Sequence, residues 1–234
     1  VESRSRAQAV IMAGLVFTGE SRVQKPGHML AVDAPLVLRG QDHPWVSRGG
    51  LKLAQALEAF DLDPTGAVCI DVGASTGGFT DVLLAHGAVQ VFAVDVGRGQ
   101  LAWKLRQDNR VVVLEQTNAR HLSDHEITSP ADWVVCDASF IGLRTVLPAA
   151  LALTRDTAVL VALIKPQFEV GRDQVGKKGV VRDPALHQAV CDEMRQWIEA
   201  QPHWQVTGIT PSPITGPEGN REFLLVAHKQ ASNK

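Results

Sequence analysis

The sequence predicts an α/β protein: a seven-stranded, mostly parallel sheet with one antiparallel edge strand, preceded by a small α+β module. Three observations lead there. From Ala67 onward, short apolar runs alternate with helical patterns, as right-handed β–α–β crossovers require. Successive apolar runs end at a charged residue: Asp71, Asp95, Asp137 and Lys165. A glycine-rich turn, Asp71-Val72-Gly73-Ala74-Ser75-Thr76-Gly77-Gly78-Phe79-Thr80, joins the first of these runs to the helix after it.

Composition narrows the classes. The chain has 234 residues, enough for one large α/β domain and a small appendage, with 45% hydrophobic and 21% charged residues. No apolar run approaches the ~18 residues of a membrane helix; the best, Ala158–Ile164, reads as a buried strand. The N-terminus is polar and basic, unlike a signal peptide. Cys69, Cys136 and Cys191 lack metal-ligand spacing, and the first two sit inside strand patterns as reduced core residues. No metal site and a cytoplasmic location are therefore expected. The formal charge of -2 gives no global signature for nucleic acid. Up to Lys52, however, seven Lys/Arg face four Asp/Glu, which favours an N-terminal contact surface for polyanions.

In chain order, residues 2–13 read as a short helix stopped by Gly14. Leu15–Phe17, the turn Thr18-Gly19-Glu20 and an extended Met29–Val32 follow as β pieces. Asp33 to Pro44 is polar and turn-rich, so it reads as a linker, with residues 1–40 as module and linker and 41–234 as the main domain. Trp45 to Lys52 opens a helix through Phe60, and Asp63-Pro64-Thr65-Gly66 turns into the first strand. Strands are expected over 67–70, 89–94, 110–114, 132–136 and 158–164, with helices near 79–84, 100–106 and 144–153 between them. Residues 167–182 lack any period and read as a long loop. Asp183-Pro184 begins a helix to about Glu199. Trp204–Pro211 and Phe223–Ala227 form an antiparallel pair at one sheet edge.

In parallel sheets, ligands bind beyond the carboxyl ends of the strands. The glycine turn presents backbone N–H groups at a helix start, where an anion can sit. It does not fit G-x-G-x-x-G, because Ser75 stands where the second glycine of that pattern would be. Strand, D-x-G-x-x-x-G-G, helix, strand, Asp resembles the cofactor site of S-adenosylmethionine-dependent methyltransferases, a Rossmann-like fold. That resemblance implies a cofactor site of Asp71, Gly73, Ala74, Ser75, Thr76, Gly77, Gly78 and Phe79. Asp95 and Val96 then face the ribose, and Asn118 and Ala119 the adenine edge.

Lys165 is unusual as a lysine ending a buried strand, since lysine is almost never buried without a partner. Pro166 holds it extended, and Asp137, after the neighbouring strand, is placed to pair with it. The bland reading is an ion pair tying two strand ends together; the functional one is a proton-transfer pair at the cofactor's methyl group.

Lys52 in SRGGLKL, Asp137 in VVCDASF, Lys165 in ALIKPQFE and Glu222 in GNREFLL resemble, in order and context, the Lys-Asp-Lys-Glu tetrad of FtsJ-like ribose 2'-O-methyltransferases. Residues 3–32, SRSRAQAVIMAGLVFTGESRVQKPGHMLAV, resemble an S-four-like RNA-binding module without its usual first helix. Over essentially the whole chain the pattern is similar to the TlyA family, also labelled haemolysin, which methylates ribosomal RNA. The resemblance implies Lys165 as base, Asp137 as its orienting partner, and Lys52 and Glu222 as positioners. It also implies cytidine ribose in small- and/or large-subunit RNA, within ribosomal subunits, as the target. Arg4, Arg6, Arg22, Lys25 and Arg48 are the expected RNA contacts.

Other subclasses leave different signs. Enzymes methylating base amines carry Asn/Asp-Pro-Pro-aromatic after the fourth strand, where this chain has Asp137-Ala138-Ser139-Phe140. Cytosine C5 enzymes need a cysteine nucleophile in a loop, and Cys136 lies in a strand pattern. Phe140 either packs near the pocket or stacks on a target base. A membrane-active haemolysin calls for a span or an amphipathic cationic helix, which the sequence lacks. A non-catalytic RNA-binding protein should have lost a tetrad residue, and all four are present.

Overall fold

The computed structural model describes residues 7, 8, 10, 11, 14–39, 43–171 and 174–231. It divides into two units, Val1–Pro44 and Trp45–Lys234. The helix expected over 2–13 lies largely outside the described residues, as do Arg4 and Arg6.

In the first unit, β1 (Val16–Thr18) lies between β2 (Ser21–Arg22) and β3 (Leu36–Leu38), antiparallel to both. Val10, Val16 and Val23 form its small core. The segment Met29–Val32 is not a strand. Its place beside β1 is taken by Leu36–Leu38, inside the stretch expected to be linker, because that apolar triplet pairs Val16 with Leu38 and Thr18 with Leu36. Met29 and Val32 remain exposed. Arg39 donates to both carboxylate oxygens of Glu20, at 2.9 and 3.1 Å, and lies over the Phe17 ring.

The second unit holds seven strands: β4 (Val68–Val72), β5 (Gln90–Val94), β6 (Val111–Leu114), β7 (Ala131–Cys136), β8 (Thr154–Ile164), β9 (Trp204–Pro211) and β10 (Phe223–Lys229). Their order is β6-β5-β4-β7-β8-β10-β9. The first five are parallel, and β10 runs antiparallel to both β8 and β9, so the last two strands form the antiparallel sheet edge. The central strands are apolar on both faces because each face is covered. One side packs against α1 (Gly50–Ala59) and α2 (Gly78–Ala85), with Leu53, Leu57, Phe79 and Leu83 buried there. The other side carries Val190, Met194 and Ile198 of the long helix Pro184–Glu199.

Helix boundaries depart from the sequence periodicity where side chains compete for backbone groups. The first helix starts at Gly50, five residues after Trp45. The chain before it turns back on itself: a Cβ on Gly50 would lie 2.5 Å from Trp45 Cγ, and Val46 N–H donates to Asp81 Oδ2 at 2.8 Å. The helix expected from Gln100 shrinks to α3 (Trp103–Arg106), because Glu115 takes the N–H groups of Gly99 and Gln100. The helix expected over 144–153 is two short ones, α4 (Leu143–Val146) and α5 (Pro148–Ala152). Pro148 cannot continue the hydrogen-bond ladder, so the break falls there. Within 167–182, the loop is shortened by α6 (Pro166–Glu169) and a tight turn at Lys177–Gly179. The long helix, capped by Asp183 accepting from Ala185 N–H, is α7.

Candidate active site

Two adjoining clefts lie beyond the carboxyl ends of β4, β5, β7 and β8. The first, of about 380 Å³, is lined by Asp95, Val96, Gln100, Asn118 and Ala119. The second, of about 320 Å³, is lined by Arg48, Lys52, Asp71, Thr76, Lys165 and Glu222. Gly73, Ser75, Asp137 and Ser139 line both, and so mark the junction.

The glycine turn shapes that junction through close approach. Gly73 has φ +81°, and a Cβ there would lie 2.8 Å from Ala138 Cα, the residue after Asp137. Gly77, φ 93°, sits left-handed at the start of α2 and lines neither cleft. Ala74, Gly78 and Phe79 line the second cleft, with Ala74 and Phe79 buried.

Asp71 is inside β4, fully buried, rather than after it. Its Oδ2 accepts from Thr80 N–H at 2.9 Å and Oγ1 at 2.7 Å, fastening the strand to the first turn of α2. Its Oδ1 is buried with no hydrogen-bond partner. Burial pushes this carboxyl up to about 7, the Thr80 bonds pull against that, and Asp137 and Asp95 add to the rise. Asp95 accepts from Ser75 N–H at 2.8 Å and Gly97 N–H at 2.7 Å, which fixes its carboxylate in the wall of the first cleft. Asn118 Oδ1 accepts from Arg120 N–H at 3.1 Å, so it makes the turn after β6 as well as lining the cleft.

These residues fit S-adenosylmethionine. An orphaned, buried acceptor on Asp71 suits an ammonium group, and the turn suits its carboxylate. Asp95 suits a ribose diol.

In the second cleft the four expected catalytic residues converge. Lys52 Nζ lies 3.1 Å from Asp137 Oδ2 and 2.8 Å from Glu222 Oε2. Lys165 Nζ lies 2.7 Å from Asp137 Oδ1 and donates to the Asp137 carbonyl at 3.0 Å and Ser139 Oγ at 2.8 Å. Lys165 has φ -118° and ψ 96°, the extended conformation that Pro166 imposes. The side chains of Lys52, Lys165 and Glu222 are 9%, 6% and 1% exposed, so two cations and two anions neutralise one another away from bulk water.

At the mouth, Phe140 is 90% exposed with φ 66°, its ring 5.3 Å from Phe168. Glu169 supports this loop by accepting from Leu143 N–H at 2.8 Å, and burial raises its carboxyl above the usual range. Arg48 lines the second cleft, while Arg22 and Lys25 are exposed on the first unit. Cys136 is buried in β7 and burial pushes its thiol up to about 12, the opposite of a nucleophile. Among the described residues, no group of three or more His, Cys, Asp or Glu is placed to hold a metal ion.

Sequence reasoning missed Ser139, Gln100 and Glu115. Glu115 follows β6 just as Asp95 follows β5, so the same strand-end signal pointed to it. Its carboxylate gathers Gly99, Gln100 and Leu101 N–H at 2.8, 3.0 and 3.4 Å and pairs with Arg106, fixing the loop beside the first cleft.

A sheet of this order, with a glycine turn after its central strand and acids at the next strand ends, defines the class of α/β methyl-transferring enzymes. The profile of the FtsJ-like methyltransferases matches residues 45–229. The chain is 48% identical over 225 residues to the 16S/23S rRNA (cytidine-2'-O)-methyltransferase TlyA of Mycobacterium tuberculosis, covering 95% of this chain and 83% of the relative. It is 40% identical over 227 residues to Hemolysin A of Brachyspira hyodysenteriae, covering 95% and 92%. A solved structure from Streptococcus thermophilus, provisionally described as a hemolysin, superposes with TM-score 0.81 at 43% identity over 99% of this chain and 85% of that one. The chain belongs to the FtsJ-like methyltransferases and, among them, to the TlyA family. Among the described residues, no helix is long and apolar enough to cross a membrane.

Proposed function

We propose that this chain methylates a ribose 2'-hydroxyl of ribosomal RNA, at cytidine, within ribosomal subunits. The observation that carries this reading is the quartet around Asp137, which stands where the two clefts meet and holds Lys165 in the wall of the second. When bound, S-adenosylmethionine supplies an electrophilic methyl group on a sulfonium. Asp71 and the glycine turn hold its amino-acid end, and Asp95 and Asn118 the nucleoside.

The protein's task is then to orient a poor nucleophile and remove its proton. Lys165 is the base, worth typically ~10²–10⁴-fold. Asp137 fixes its nitrogen from two directions, and Lys52, itself paired with Glu222, fixes Asp137 in turn. The exposed Phe140 ring offers the target base a stacking surface. The unit Val1–Pro44 acts as the S-four-like RNA-binding module, with Arg22, Lys25 and, on the catalytic unit, Arg48 contacting phosphates.

The test is transfer of labelled methyl to isolated ribosomal subunits beside the same RNA stripped of protein. Label in RNA of the subunits is expected; no label in either would sink the reading.

A further inference from the structure

One hydroxyl in the cleft has no task in that reading. As an ammonium, Lys165 has three N–H bonds, and all three are taken: by Asp137 Oδ1 at 2.7 Å, the Asp137 carbonyl at 3.0 Å and Ser139 Oγ at 2.8 Å. The two acceptors on Asp137 belong to a residue anchored on its other side by Lys52. A neutral amine keeps two hydrogens and one lone pair. With Asp137 retaining the two hydrogens, the lone pair points in the remaining direction, at Ser139 Oγ.

Access points the same way. The Lys165 side chain is 6% exposed, whereas Ser139 is exposed and lines both clefts. A ribose hydroxyl arriving from the cleft meets the serine before the buried nitrogen. The following residue, Phe140, is left-handed, so this turn presents the hydroxyl and the ring together.

We propose that Ser139 is a further catalytic residue, relaying the proton of the ribose 2'-hydroxyl to Lys165. The inference rests on ribose methylation being the reaction. The ribose O–H bond breaks and its proton bonds to Ser139 Oγ, while the serine's own hydrogen passes to the Lys165 nitrogen. The ribose oxygen's electron pair forms the bond to the methyl carbon, and the carbon–sulfur pair stays with sulfur. Ser139 ends as the neutral hydroxyl it was. Lys165 ends as an ammonium with its new hydrogen toward Ser139, across the 2.8 Å that separates Nζ from Oγ.

Single-turnover methyl transfer to ribosomal subunits in mixtures of H2O and D2O tests this, using the wild type, Ser139→Ala and Ser139→Thr. Calorimetry with S-adenosylhomocysteine runs beside it. Ser139→Ala should lose ~10²-fold or more in rate, the scale of a general-base step, with unchanged affinity for S-adenosylhomocysteine. Ser139→Thr, which keeps a hydroxyl, should recover most of the loss. The wild-type rate plotted against deuterium fraction should bow, because two protons move together. Wild-type speed in Ser139→Ala overturns the relay. So does a straight plot for the wild type, which leaves Ser139 only as a positioner of Lys165; that plot needs no variant to fold. A wild type that places no label on ribose overturns the functional reading itself, and the relay with it.

Discussion

Lys165 reaches Asp137 twice, through the carboxylate at 2.7 Å and through the main-chain carbonyl at 3.0 Å. The second contact uses backbone just beyond β7, so the nitrogen is placed by the sheet as well as by a side chain that could rotate away. The Lys165 amine is therefore held by the parallel pairing of β7 and β8.

Removing that amine should separate chemistry from cofactor binding. Lys165→Ala is expected to cut methyl transfer by at least ~10²-fold while calorimetry shows unchanged affinity for S-adenosylhomocysteine, because Asp71 and Asp95 are untouched. Turnover near wild type would remove Lys165 as base.

Asp137→Ala leaves two buried lysines facing each other with Glu222 alone. Breaking a buried ion pair by deleting one partner costs about 3–5 kcal/mol, so denaturant unfolding should show a loss in that range. Lys52 and Lys165 are 9% and 6% exposed, which leaves little water to compensate. A change under about 1 kcal/mol, the value of an exposed pair, would show that the cluster is more open than described.

Asp71 should link pH to both stability and cofactor affinity. Burial raises its carboxyl from 3.8 to about 7. Between those values the folded chain keeps a proton that the unfolded chain releases, so this group's contribution to stability falls as pH rises from 3.8 to about 7. Asp71→Asn should flatten that fall in thermal melts. Cofactor binding runs the other way. The ammonium of S-adenosylmethionine needs the ionised acid, so affinity should weaken as pH drops below about 7 in the wild type and vary little in Asp71→Asn. An affinity independent of pH in the wild type would place the ammonium elsewhere.

Glu115 titrates with the opposite sign. The N–H of Gly99 foremost, then Arg106 and Leu101, hold its carboxyl down to about 2, against 4.5 normally. Its stabilising contribution is present above 4.5 and is lost as pH falls toward 2. Glu115→Ala should release the Gly99–Leu101 segment and weaken S-adenosylhomocysteine binding about tenfold, one decade in Kd, without changing the single-turnover rate at saturating cofactor. A rate loss with unchanged Kd would contradict this role.

Much of the fold could be read from the chain because the central strands are apolar on both faces and end at charged residues. β4, β5, β7 and β8 fall where the apolar runs do, and Asp95, Asp137 and Lys165 lie beyond them. What the periodicity obscured were positions decided by distant partners. Gln100 and Leu101 leave the helix pattern because Glu115 claims their N–H groups. Leu36–Leu38 becomes a strand because it pairs with the side of β1 that β2 leaves open, a pairing that local composition does not encode. Ser139 was hidden for the same reason. It stands in the Asp137–Phe140 stretch, but its role arises from Lys165, twenty-six residues away, donating to it.

The most direct measurement is to map the labelled methyl group in ribosomal RNA after reaction with wild-type protein. Alkaline hydrolysis leaves intact the linkage that follows a 2'-O-methylated nucleotide, so label in an alkali-resistant dinucleotide beginning with cytidine is the expected result. Label recovered on a free base or an ordinary mononucleotide would mean that the Lys52–Asp137–Lys165–Glu222 cluster does not activate a ribose hydroxyl.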